Sequence, residues 1–152
     1  MENKLISIII PCYNGEKTIV QCVESAQKAI IYLKKTIKTE IIVIDDGSTD
    51  NTSHILNSQP NIRVIMHSKN KGLSSARNSG INIATGDYLV FLDCDIIVEE
   101  SWLLNMLDFL NQDEKIMGAI GVLKPQKNNS LSSLESYLFS SYRGSKKTGL
   151  HH

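Results

Sequence analysis

The stretch SIIIPCYNGE, Ser7 to Glu16, decides the fold. From Leu5 to Ile10 the chain is apolar at nearly every position; it then stops at Pro11 and passes into Tyr13, Asn14 and Gly15. A strand with one wet face alternates polar and apolar residues. A strand without alternation is covered on both faces, as in a parallel sheet packed between helices. From Glu16 to Lys35, Ile19, Cys22, Val23, Ala26, Ala29, Ile30 and Leu33 recur at gaps of three and four, marking one face of a helix with Asn14 as its expected cap.

The same alternation continues outward. EIIVID (40–45) reads as a second buried strand, and Ser48 or Thr49 is placed to cap a short helix in GSTDNTSHILN (47–57). NIRVIMH (61–67) is a third strand. NKGLSSARNSGINIATG (70–86) is a helix, and Gly86 suits the left-handed residue that ends one. DYLVFLD (87–93) is a fourth strand. EESWLLNMLDFLN (99–111) is a helix with Trp102, Leu103, Met106, Leu107 and Leu110 inward. KIMGAIGVL (115–123) reads as a fifth strand, KPQKNNS (124–130) as a loop and SLSSLESYLFSSYRG (130–144) as a last helix. Strands alternating with helices predict an α/β fold, a mostly parallel central sheet flanked by helices with right-handed crossovers. With no repeat and no early linker, the expected organisation is one domain over 1–152, with a core over 1–123 and a C-terminal loop and helix over 124–152.

Composition narrows the function. The chain has 152 residues, 41% hydrophobic and 21% charged, with sixteen basic and sixteen acidic residues and zero net charge. That balance gives no electrostatic case for nucleic acid or an anionic membrane surface. Cys12, Cys22 and Cys94 form no paired framework and no metal spacing, which fits a reducing compartment. The run LISIII is too short for a secretory signal, and no stretch is long enough to span a bilayer.

Ligands of open parallel sheets bind beyond the carboxyl ends of the strands, and the unusual residues of this chain fall there. Asp93 and Asp95 close the fourth strand two residues apart, so both carboxylates point the same way. Charged and half-buried, such a pair costs several kcal/mol unless a cation compensates, and all-oxygen ligands suit Mg²⁺ or Mn²⁺. Taken alone, the pair is more simply a solvated acidic turn. Asp45 and Asp46 end the second strand; Gly47, Ser48 and Thr49 are explained as turn and cap residues, but two acids there are not. One of them can accept a hydrogen bond from the ring N–H of a pyrimidine or guanine, with Tyr13 as a flat surface for the same base. Arg77, on the edge of its helix, needs either an aspartate of the second loop or a phosphate. Lys69 and Lys71 read as solvated surface, and Cys94 as an inward packing residue.

Together, SIIIPCYN, EIIVIDDGSTDNT and NKGLSSARNSGINIATGDYLVFLDCD resemble the family 2 glycosyltransferases of the Rossmann-like GT-A nucleotide-diphospho-sugar transferase fold, from about Leu5 to about Leu110. The resemblance implies a donor site. Pro11, Tyr13 and Asn14 would wall the nucleotide, Asp46 or Asp45 would bind its base, and Arg77 would hold that aspartate or the diphosphate. Asp93 and Asp95 would carry Mg²⁺ or Mn²⁺ between the donor phosphates. The implied reaction is inverting transfer of a sugar, from a UDP-sugar first of all, to an acceptor hydroxyl in cell-surface polysaccharide or glycolipid synthesis. It would take place in the cytoplasm or at the inner face of the membrane, with peripheral association through regions outside this chain. Two departures stand out. Ile96 replaces a third acid common after Asp-x-Asp, and the family's catalytic base belongs downstream of this chain, so a truncated donor-binding half is expected, with His151 and His152 read as a tag remnant rather than ligands. Two other classes compete: a non-catalytic nucleotide-sugar-binding module, and a haloacid dehalogenase-type phosphatase. The latter favours Thr or Val where Ile97 stands and leaves DDGSTD unexplained.

Overall fold

The computed structural model describes residues 4–33, 37–121 and 141–143, the last as backbone. Four parallel strands form its centre: β1 (Leu5–Cys12), β2 (Lys38–Asp45), β3 (Arg63–Met66) and β4 (Tyr88–Phe91). Between and after them run α1 (Ile19–Tyr32), α2 (Thr52–Ser58), α3 (Leu73–Ile83) and α4 (Trp102–Leu110). Two short strands, β5 (Gly118–Ala119) and β6 (Ser141–Arg143), complete a sheet of order β3-β2-β1-β4-β6-β5, with β6 antiparallel to both β4 and β5.

The unbroken apolar runs have the expected consequence. Ile6, Ile8 and Ile10 of β1 are fully buried on one face, in the core built with α1 and α4. Ile9 faces the other way, toward α3, where a Cβ on Gly80 would sit 2.4 Å from Ile9 Cγ2. Each fully buried isoleucine contributes about 1.5–3 kcal/mol. On the α3 face a smaller cluster of Ile42, Ile44 and Ala76 closes the third layer. The chain leaves β1 toward β2 and β3, then returns to the far side of β1 for β4. That reversal opens a crevice at the carboxyl ends of β1 and β4.

Several local expectations are corrected. Ser141–Arg143, expected in the last helix, is a strand, because β4 would otherwise carry unpaired backbone groups along that edge; the rest of that expected helix lies outside the described residues. The fifth strand shrinks from 115–123 to two residues, with Val122 and Leu123 outside the described set. α1 begins after Thr18 and takes no side-chain cap, so Asn14 is not its cap. α2 follows Asn51, and neither Ser48 nor Thr49 caps it. α3 ends at Ala84 in extended backbone, without a left-handed residue. Gly86 is small for another reason: a Cβ there would meet Ser7 N and Oγ at 2.6 Å.

Candidate functional site

A cavity of about 540 Å³ opens at the crevice between the ends of β1 and β4. Four separate chain neighbourhoods line it: Pro11 to Gly15 at the end of β1, Asp46 after β2, Asn70, Gly72 and Leu73 at the start of α3, and Asp93 to Asp95 after β4. Its size suits a ligand of nucleotide dimensions.

The first two loops are stitched together. Asn14 adopts φ 51°; its N–H donates to Ser48 Oγ at 2.9 Å and its Oδ1 accepts from Thr49 N–H at 2.8 Å. The Asp46 N–H reaches Cys12 O at 2.8 Å, and Glu16 N–H reaches Asp50 Oδ2 at 3.2 Å. Tyr13, 45% exposed, stands on this braced rim with its ring accessible.

The two consecutive acids part company, as consecutive residues at a strand end must. Asp45 is buried away from the cavity, accepting from Ser48 N–H at 2.9 Å and from the Ser53 hydroxyl. Asp46 lines the cavity. Its Oδ1 takes Lys71 N–H at 3.0 Å and meets His67 Nδ1 at 2.6 Å, and its Oδ2 takes Gly72 N–H at 2.8 Å. Burial works to raise the Asp46 pKa, but the hydrogen bonds from His67, Lys71 and Gly72 prevail and hold the carboxyl below its usual range. Glu40, at the opposite end of the sheet, is also held low: burial raises it, while bonds from Ser7 Oγ, Thr85 N–H and Thr85 Oγ1 prevail.

Both acids favour the ionised form more in the fold than in the unfolded chain. Their stabilisation is present above the ordinary values of 3.8 and 4.5 and is lost as pH falls through the lower folded values. Stability to denaturant is therefore expected to hold from neutrality to about pH 5 and to fall steadily below about pH 4. Urea titrations at about pH 6 and about pH 3.5 check this, and an equal midpoint at both would contradict the assignment.

Arg77 does not meet an aspartate of the second loop. Its Nη2 donates to Asp93 Oδ1 at 3.0 Å, its guanidinium lies 5.9 Å from the Phe91 ring centroid, and its buried Nε has no partner among the described residues. Asp93 thus already has a countercharge. Asp95 is exposed and unpaired among the described residues, so little desolvation has to be offset there. A metal is not required to relieve buried repulsion, contrary to the expectation from sequence. The donor set nonetheless suits one. Asp95 and Asp93 Oδ2 are free among the described residues, and Mg²⁺ or Mn²⁺ is commonly held by one or two carboxylates together with substrate phosphates and water.

Cys12 and Cys94 also line the cavity, with their thiols in mutual contact. That contact and burial push the Cys12 thiol up, making it a neutral packing group and not a nucleophile. All three cysteines are free. His67 was missed from the sequence. β2 and β3 pair Asp45 with Met66, so the next step in register sets Asp46 beside His67.

A family model described as "Glycosyl transferase family 2" matches residues 7–151. The chain belongs to glycosyl transferase family 2. It is similar to the glycosyltransferase GlyG of Streptococcus pneumoniae, 41% identical over 115 residues, covering 72% of this chain and 35% of that protein. It is also similar to WfaP of Escherichia coli, described as a UDP-Glc:alpha-D-GlcNAc-diphosphoundecaprenol beta-1,3-glucosyltransferase, at 40% over 114 residues, covering 73% of this chain and 43% of the relative. Among solved structures, Staphylococcus aureus TarS 1–349 in complex with UDP-GlcNAc superposes with a TM-score of 0.69 at 23% identity, over 91% of this chain and 45% of TarS 1–349, which speaks for the fold. The family 2 chain described here therefore spans less than half the length of each of these proteins. Family membership removes the phosphatase reading. No helix among the described residues is long and apolar enough to cross a membrane.

Proposed function

We propose that this chain binds the nucleotide-sugar donor, a UDP-sugar first of all, for metal-assisted transfer of a sugar to an acceptor hydroxyl with inversion. The observation that carries the reading is the convergence of Tyr13, Asn14, Asp46, Asp93 and Asp95 on one cavity from three separate strand ends. Tyr13 offers its face to the base, Asp46 accepts the base N–H, and Pro11 and Asn14 form the adjoining wall. Asp45 lies behind this wall and supports it. Asp93 and Asp95 would hold Mg²⁺ or Mn²⁺, which would supply charge neutralisation to the departing diphosphate. Arg77 contributes by fixing Asp93, not by holding the base-binding acid. The proton acceptor of the transfer is not assigned to any residue of this chain. The names of WfaP and the TarS complex support a nucleotide-sugar donor, and the lipid-linked acceptor in the WfaP description supports a place in surface polysaccharide or glycolipid assembly.

Calorimetric titration of the chain with UDP, with and without Mn²⁺, tests the reading. UDP should bind at least about tenfold more tightly with the metal. Equal affinity in both conditions would remove the metal-assisted donor site.

A further inference from the structure

Asp46 can read a base only if an acceptor position remains open on it. An ionised carboxylate offers about four lone-pair positions over its two oxygens. His67 Nδ1, Lys71 N–H and Gly72 N–H fill three, two on Oδ1 and one on Oδ2. One position on Oδ2 is left, on a residue that lines the cavity.

The two backbone donors come from the loop ahead of α3 and cannot be changed by substitution without changing the chain path. The third comes from a side chain, and it is built in. His67 and Asp46 side chains are 6% and 4% exposed. On its far side His67 Nε2 lies 2.9 Å from Ser79 Oγ on α3. Because a carboxylate is only an acceptor, Nδ1 carries the proton, while Nε2 pairs with the Ser79 hydroxyl, which can donate or accept. Both ring nitrogens are fixed by one partner each.

We propose that His67 is a positioning residue that sets nucleobase selectivity: its Nδ1–H holds Asp46 as a pure acceptor, so that the cavity takes a base bearing a ring N–H and rejects one bearing a bare ring nitrogen. Uracil presents N3–H to such a carboxylate, whereas cytosine presents the lone pair of N3. The low pKa of Asp46 agrees, since burial alone would push it toward the protonated form, which donates and would accommodate cytosine. This inference rests on the donor-site reading above, and its test separates the two.

Two polar substitutions each keep one half of the imidazole. In His67→Asn the amide nitrogen takes the place of Nδ1 and still reaches Asp46; in His67→Gln it takes the place of Nε2 and reaches Ser79 instead. The wild type and both variants, checked for folding by circular dichroism, are titrated with UDP and with CDP in the presence of Mn²⁺. The wild type and His67→Asn should prefer UDP by about tenfold or more, one good hydrogen bond to a charged acceptor. His67→Gln should lose roughly tenfold in UDP affinity and bring the two nucleotides within about threefold. A His67→Gln ratio equal to that of the wild type, or a His67→Asn ratio as poor as that of His67→Gln, overturns the role of His67 while leaving the donor site standing. Failure of the wild type to bind UDP overturns both.

Discussion

Asp95→Ala is expected to lower Mn²⁺-supported UDP affinity by roughly 100-fold, about 2.7 kcal/mol, while leaving the fold intact. The expectation follows from the asymmetry of the Asp-x-Asp pair. Asp93 is tied to Arg77 at 3.0 Å, so removing it would strand a guanidinium whose Nε already lacks a partner among the described residues. Loss of binding in that variant would mix two causes. Asp95 is exposed and makes no hydrogen bond among the described residues, so its removal should change stability by no more than about 0.5 kcal/mol. Any large effect on UDP is then an effect on the ligand. UMP supplies the internal control. It presents the same base and ribose to Tyr13 and Asp46 but lacks the second phosphate, so its weaker binding should be nearly indifferent to Asp95→Ala. Unchanged Mn²⁺ enhancement of UDP binding in the variant would take the metal away from Asp95.

Arg77 gives this pair a second state. Without a divalent ion, the guanidinium neutralises Asp93 across a half-exposed ion pair, worth at most about 1 kcal/mol. A divalent ion can therefore share or displace that contact at small cost.

Much of this was legible in the sequence, and the parts that were not have physical causes. The two central strands, β1 and β2, announced themselves because covered strands need no polar face, and Ile8, Ile10, Ile42 and Ile44 are fully buried. The gathering of Tyr13, Asp46 and Asp93 at one end of the sheet followed from parallel topology alone. Partnerships across loops did not follow. Asn14 looked like a helix cap because its chemistry suits one, but the neighbouring loop took its side chain first. Arg77, for which an aspartate of the second loop or a phosphate was expected, meets Asp93 instead of the second loop, because spacing along α3 fixes its face but not which strand end lies opposite. Ser141–Arg143 read as helical from its flanking sequence, yet the open edge of β4 outweighed local preference. His67 carried no motif of its own and became visible only when the register of β2 and β3 set it beside Asp46.

The largest stability effect is expected from Gly47→Ala. Gly47 sits at φ +71°, a conformation that costs a side-chain-bearing residue about 1–2 kcal/mol. A Cβ there would also stand 2.4 Å from Lys69 C, 2.6 Å from Asn70 N and 2.6 Å from Lys69 Cα. All three are main-chain atoms, so no rotamer change relieves the collision; the Lys69–Asn70 segment has to move, at roughly 1–3 kcal/mol. The total of about 3 kcal/mol is a large share of a typical stability and corresponds to a fall of roughly 10 °C in Tm for a chain of this size. The same displacement reaches the ligand site, because the next two residues, Lys71 and Gly72, give their N–H groups to Asp46. Gly72→Ala separates the two contributions. Gly72 has φ +89° and ψ 158°, a region essentially reserved for glycine, but a Cβ there has nothing within 4 Å, so only the conformational cost of about 1–3 kcal/mol applies. Thermal melts should therefore order wild type above Gly72→Ala above Gly47→Ala. If the two variants melt together, the close approach of the second loop to the Lys69–Asn70 segment is not what makes Gly47 necessary.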